Sequence, residues 1–276
     1  MRRPARSRRS PRVRPVTAAL AVVVVTGLGL VACAPGAADG SGSTTEPTGG
    51  ATLRGDLTVL AAASLTEAFT ALGERFEAAH PGVHVTFVFA GSSALAAQVA
   101  DGAPADVLAT ADPATMDGVV AAGHAHAPVV FATNTLRIAV PRGNPGAVTG
   151  LDDLADPAVK VALCQPEVPC GTAAAAVLTR AGLEVTPVTL EPDVKAVLAK
   201  VRLGEVDAGL VYVTDVVAAG DDVEGVDLPP GSDVTTDYPV ATLTAAPHPD
   251  AAAAFVDLVL SPTGTEVLSA AGFGRP

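Results

Sequence analysis

From Leu57 onward the chain switches repeatedly between two hydrophobic periods. Leu57–Ala63 (LTVLAAA) is an almost unbroken apolar run, the pattern of a strand buried on both faces. Leu65, Ala68, Phe69, Leu72, Phe76 and Ala79 then recur at helical spacing, and His80-Pro81-Gly82 ends the helix. Val83, Val85, Phe87 and Phe89 alternate, predicting a strand with one strongly apolar face, followed by a helix over 94–100. A short buried strand is expected over 105–110. Asp112-Pro113 after it predicts an N-cap with proline at the first helical position, and Gly123 closes that helix.

Two strands, 129–132 and 136–140, are predicted on either side of Thr133-Asn134-Thr135, with Pro141-Arg142-Gly143-Asn144-Pro145 beyond. A second α/β set follows: helix 151–155, strand 159–163, a loop bounded by cysteines, helix 172–181, strand 185–190, helix 193–203, strand 208–213 and a short helix 215–219. Residues 238–244 read as a return crossing, and helices over 249–260 and 262–271 finish the chain. The expected organisation is two α/β lobes: 56–134 plus 238–276 as lobe I and 135–237 as lobe II. Two such lobes joined by two crossings place a ligand site in the cleft between them, at the carboxyl ends of strands.

The first strand–helix junction, Ala61-Ala62-Ala63-Ser64, is built of small residues that let another group approach the backbone. Ser64 with Glu67 three residues on fits a capping box. The same spot also fits an anion seat, because a helix N-terminus carries free N–H donors and partial positive charge. Ala90-Gly91-Ser92-Ser93 repeats the arrangement of strand, small residues, serine and helix.

Composition narrows the ligand. Of 276 residues 49% are hydrophobic but only 3% aromatic, with no Trp, which disfavours sugar recognition by stacking. Seven arginines between Arg2 and Arg14 precede an apolar run from Val16 to Ala32, an export-signal pattern. It ends in Leu30-Val31-Ala32-Cys33, which resembles the bacterial lipobox. Residues 1–32 are therefore expected to be removed and Cys33 lipidated, with 33–55, rich in Gly, Ser, Thr, Ala and Pro, as a flexible tether. Loss of those arginines moves the net charge from −12 to near −19. Such a chain does not suit nucleic acid, and any anion it holds must be held by short-range donors.

Catalytic signatures are weak. Neither Ser64 nor Ser92 stands in a G-x-S-x-G elbow, no phosphate loop is present, and His124 and His126 lack nearby Cys, Asp or Glu partners for a metal. Cys164 and Cys170 enclose Gln165–Pro169; in an exported protein this spacing favours a disulfide that clamps a cleft loop. Tyr212, one of two tyrosines, ends the apolar strand in GLVYVTD, as a core residue or as a donor into the cleft.

LTVLAAASLTEAF, FVFAGSSALAAQVADGAPADVLATAD, PEVPCG, PDVKAVLAKV and GLVYVTD, in this order, resemble the molybdate-binding proteins of bacterial ABC importers, from about Leu57 to Phe273. The resemblance implies a two-lobed periplasmic-binding-protein-like fold (type II), each lobe a mixed sheet flanked by helices. It also implies an oxyanion held without counter-charge by the hydroxyls of Ser64 and Ser92, the backbone N–H groups of Cys170 and Val194, and Tyr212. Ser93 is the one-place alternative to Ser92. Cys170 departs from the pattern, which has a small residue such as Ala there. The implied function is capture of molybdate and tungstate by a monomer, with no cofactor and no turnover. The implied partners are an ABC transporter permease and the outer face of the cell membrane, through Cys33. A binder of another oxyanion such as sulfate, or of a small carboxylate, an exported serine hydrolase, and a structural lipoprotein without ligand are the alternatives.

Overall fold

The computed structural model describes residues 53–276; the export signal over 1–32, Cys33 and the tether as far as residue 52 lie outside them. Two halves of one mixed sheet are joined through two shared strands. In the first half, β1 (Gly55–Ala62) lies between β2 (Val83–Ala90) and β3 (Val107–Ala109), parallel to both. In the second, β5 (Val161–Cys164) lies parallel to β6 (Thr189–Glu191) and β7 (Ala208–Tyr212). Between the halves run β4 (Val129–Pro141) and β9 (Thr235–Thr242), antiparallel to each other.

The strand order is β2-β1-β3-β9-β4-β7-β5-β6, and β8 (Val223–Val226) pairs with β4 at the side. Where two strands were expected around Thr133-Asn134-Thr135, β4 is one strand of 13 residues with an irregularity between Val130 and Ala132. Its first part pairs with β9, its middle with β7 and its end with β8. The polar stretch survives inside the strand because Asn134 satisfies its amide in side-chain and backbone hydrogen bonds. The fold is two-lobed, and both connections cross in extended backbone.

The apolar run of β1 is buried on both faces, as its sequence predicts. Leu57, Val59 and Ala61 join one core with Leu65, Phe69, Leu72 and Phe76 of the following helix. Leu60 joins a second core with Leu95, Leu108, Met116 and Val119. The covering helices in the first half are α1 (Thr66–Ala79), α2 (Ser92–Ala100) and α3 (Pro113–Ala121). Asp112 caps α3, accepting from the Thr115 N–H at 2.9 Å. In the second half they are α4 (Pro169–Ala181), α5 (Val194–Arg202) and α6 (Val213–Ala219). The chain closes with α7 (Pro249–Leu260) and α8 (Pro262–Ala270). Phe255 of α7 packs edge-on against Phe76 and at 5.9 Å from Phe69, returning the C-terminus to the first half.

Candidate functional site

Register brings the two serine junctions together. Ala62 at the end of β1 lies opposite Ala90 at the end of β2 in parallel pairing. Ser64 and Ser92 each stand two residues further on, so both reach the same level of the sheet edge. The second half repeats this: Cys164 of β5 lies opposite Glu191 of β6, and α4 and α5 begin just beyond.

These ends face each other around one small cavity of about 10 Å3, lined by Ser64, Ser92, Cys170, Val194 and Tyr212 together with small residues. All five residues singled out from the sequence therefore meet here. Ser93 does not line it; its hydroxyl donates to the Glu167 carbonyl at 2.6 Å across the cleft.

The halves touch closely at this point. A Cβ on Gly91 would stand 2.5 Å from the Pro192 carbonyl oxygen, so only glycine permits the approach. Lys195 of α5 reaches Glu67 of α1 at 2.8 Å and the buried Asp215 at 3.1 Å.

No Lys or Arg lines the cavity, and its one carboxylate, Asp193, caps α5 by accepting from the Ala196 N–H at 2.9 Å. What the cavity offers is donors. It receives the N-termini of α2, α4 and α5 and the entry turn of α1, whose first N–H groups have no partner within their own helices. Those ends carry partial positive charge.

The hydroxyls add to this. Ser92 Oγ accepts from the Ala111 N–H at 3.0 Å, which leaves its hydrogen to point elsewhere. Tyr212 is buried to 1% exposure and its hydroxyl has no hydrogen-bond partner. Burial pushes this phenol well up from its ordinary value, so it remains a donor.

The capping box that Ser64 and Glu67 fit in the sequence does not form. Ala63–Leu65 is a 3-10 turn between β1 and α1, the α1 N-cap is Leu65, and Glu67 pairs with Lys195 instead. Ser64 Oγ lies 3.0 Å from the Tyr238 hydroxyl, and Asn134 stands behind Tyr238. Neither was recognisable as part of the site from its sequence context. Cys164 and Cys170 Sγ atoms are 2.05 Å apart, closing the loop that carries the start of α4. The loop is tight enough that a Cβ on Gly171 would collide with the Gln165 carbonyl.

A hydrolase needs a base beside its serine. The cavity contains no His, and the partner of Ser64 is a phenol whose pKa burial raises further. Among the described residues no cluster of His, Cys, Asp or Glu is arranged to hold a metal ion.

Comparison with known proteins agrees with a binding site. The profile of a family described as bacterial extracellular solute-binding protein matches residues 57–274. The molybdate-binding protein ModA of Mycobacterium bovis is 44% identical over 249 residues, covering 90% of this chain and 94% of that protein. ModA of Escherichia coli is 32% identical over 231 residues, covering 79% and 89%. The periplasmic molybdate-binding protein of Azotobacter vinelandii superposes with a TM-score of 0.70 at 21% identity, covering 80% of this chain and 99% of that one, a likeness of fold. The chain thus belongs to the bacterial extracellular solute-binding proteins, a family of binders and not of enzymes.

Proposed function

We propose that the protein captures molybdate outside the cytoplasm, enclosing it between the two lobes with Ser64, Ser92, Cys170, Val194 and Tyr212 as its donors. The observation that carries this reading is the cavity's one-sided chemistry: helix N-termini, hydroxyls and a buried phenol without a partner, with no cation. Molybdate at neutral pH is a fully deprotonated tetrahedral dianion that only accepts hydrogen bonds. Phosphate retains a proton and needs an acceptor, and the one carboxylate in the lining, Asp193, is already engaged in capping α5. Each charge-assisted hydrogen bond contributes about 1.5–3 kcal/mol net, so five donors suffice for sub-micromolar affinity after the costs of association. The 44% identity to a protein named for molybdate binding supports the same assignment.

Tungstate, nearly the same size, binds the same cage, and sulfate is too small to reach all the donors at once. The lobes are 56–134 with 238–276, and 135–237, hinged where β4 and β9 cross. The protein is a monomer held by a lipid on Cys33 to the outer face of the membrane, and it hands the ion to an ABC transporter permease. Calorimetric titration tests the reading: molybdate and tungstate are expected to bind below micromolar Kd and sulfate far more weakly. Equal affinity for sulfate would overturn the size argument.

A further inference from the structure

Behind Ser64 a buried chain of hydrogen bonds has a direction, and one residue sets it. The Thr135 N–H donates at 3.0 Å to Asn134 Oδ1, and a backbone N–H cannot accept, so this contact fixes the amide's orientation. The Asn134 Nδ2 group is thereby aimed at Thr214 Oγ1 at 2.9 Å and at the Tyr238 hydroxyl at 3.5 Å. Tyr238 accepts from Asn134 and has one hydrogen to give. The Tyr212 hydroxyl lies near it but makes no hydrogen bond to it, and its one other hydrogen-bonded partner among the described residues is Ser64 Oγ at 3.0 Å. With that oxygen accepting, the Ser64 hydrogen is left for the cavity it lines.

We propose that Asn134 is a specificity-determining positioning residue, which through Tyr238 holds Ser64 as a donor and so makes the cage reject oxyanions that carry a proton. The inference rests on the oxyanion reading of the cavity and adds what enforces it. Ser92 is held in the same sense by a shorter route, the Ala111 N–H. Asn134 and Tyr238 are 4% and 0% exposed, so water does not compete for these bonds. The phenol of Tyr238, raised by burial, stays protonated and keeps the chain intact.

The consequence is a change of selectivity. In N134D the introduced carboxylate accepts where the amide donated. Tyr238 then donates backwards, and Ser64 turns its hydrogen to Tyr238 and its lone pair to the cavity. Hydrogen phosphate donates its own proton to that lone pair, whereas molybdate cannot.

The test is displacement of bound molybdate by phosphate at pH 7, in wild type, N134D and Y238F. Y238F keeps the ring's shape and frees Ser64 to donate or accept, so it decides the matter if N134D does not fold. The phosphate-to-molybdate ratio needed for half displacement is expected to fall at least tenfold in the variants that fold. General damage to the site weakens both anions and leaves the ratio unchanged, and an unchanged ratio overturns the proposal. Failure of wild type to bind molybdate at all would instead refute the functional reading.

Discussion

At the scale of single residues, the site depends on where hydrogens point more than on charge. Tyr212 shows this most simply: its hydroxyl is enclosed at the cavity wall with nothing to bond. Leaving a buried donor unmatched costs free energy, and an acceptor ligand recovers it. Y212F is therefore expected to weaken molybdate binding about ten- to hundredfold by calorimetry, the equivalent of one charge-assisted bond, and to leave thermal stability of the empty protein unchanged or raised. An affinity equal to wild type would mean that the phenol faces no ligand.

Residues differ in how legible they were. Ser64 and Ser92 stand out because the same order of strand, small residues, serine and helix occurs twice, and parallel register converts that repetition into proximity. Tyr238 meets Ser64 across 174 residues, and no local pattern carries such a contact. Of the two readings that Ser64 allows, the capping box fails because a 3-10 turn separates β1 from α1 and moves the helix start past the serine.

At the scale of elements, α5 and α6 bring a charged group into the interior behind the site. Asp215 has no exposed surface; it accepts from the Tyr212 N–H at 3.1 Å and faces Lys195 at 3.1 Å. Burial pushes its carboxyl up to about 6 from 3.8, outweighing the attraction of Lys195. Between these values the folded protein binds more protons than the unfolded chain, so this group makes stability fall as pH rises from about 4 to 6, with no further change above.

D215N keeps an oxygen for the Tyr212 N–H and removes the titration. The melting temperature of the variant relative to wild type is expected to rise across that window; a difference independent of pH would contradict the assignment. The loop before α4 is the second element-scale case. The disulfide closes a short loop, worth about 2 kcal/mol in the chain-entropy account. The double variant C164S/C170S is expected to melt lower and to bind molybdate more weakly, because the Cys170 N–H loses its fixed position. Binding identical to wild type would show that the bond serves the fold alone.

Most elements could be read from periodicity, since long helices such as α1 and α7 keep their apolar spacing throughout. The sequence of β4 reads as two strands because Thr133-Asn134-Thr135 interrupts the apolar pattern, and only tertiary hydrogen bonds make that interruption tolerable. β8 carries no sequence signal: Val223–Val226 is a short edge segment containing Glu224 and Gly225, with no alternation to reveal it.

At the scale of the whole molecule, an acidic protein holds an anion without a cation in the cavity. With 29 acidic against 17 basic residues, seven of the latter in the leading segment, its long-range field opposes the ligand that its short-range donors attract. Salt screens the first much more than the second. The association rate for molybdate, followed by stopped-flow, is therefore expected to rise with ionic strength, with the dissociation rate little changed; a rate that falls with salt would point to a basic funnel at the cleft mouth.

Enclosure belongs to this scale as well. Gly91 against Pro192, Ser93 on Glu167 and Lys195 on Glu67 all join opposite sides of the cavity, so the donors form a cage only when these contacts are made. This cage is the proposed molybdate site. Anomalous diffraction at the molybdenum edge from crystals grown with molybdate tests it most directly. One strong peak is expected at the centre of the cage, enclosed by Ser64, Ser92, Tyr212 and the N–H groups of Cys170 and Val194, with its oxygens at hydrogen-bonding distance from them. A peak elsewhere, or none in crystals of the closed form, would contradict it.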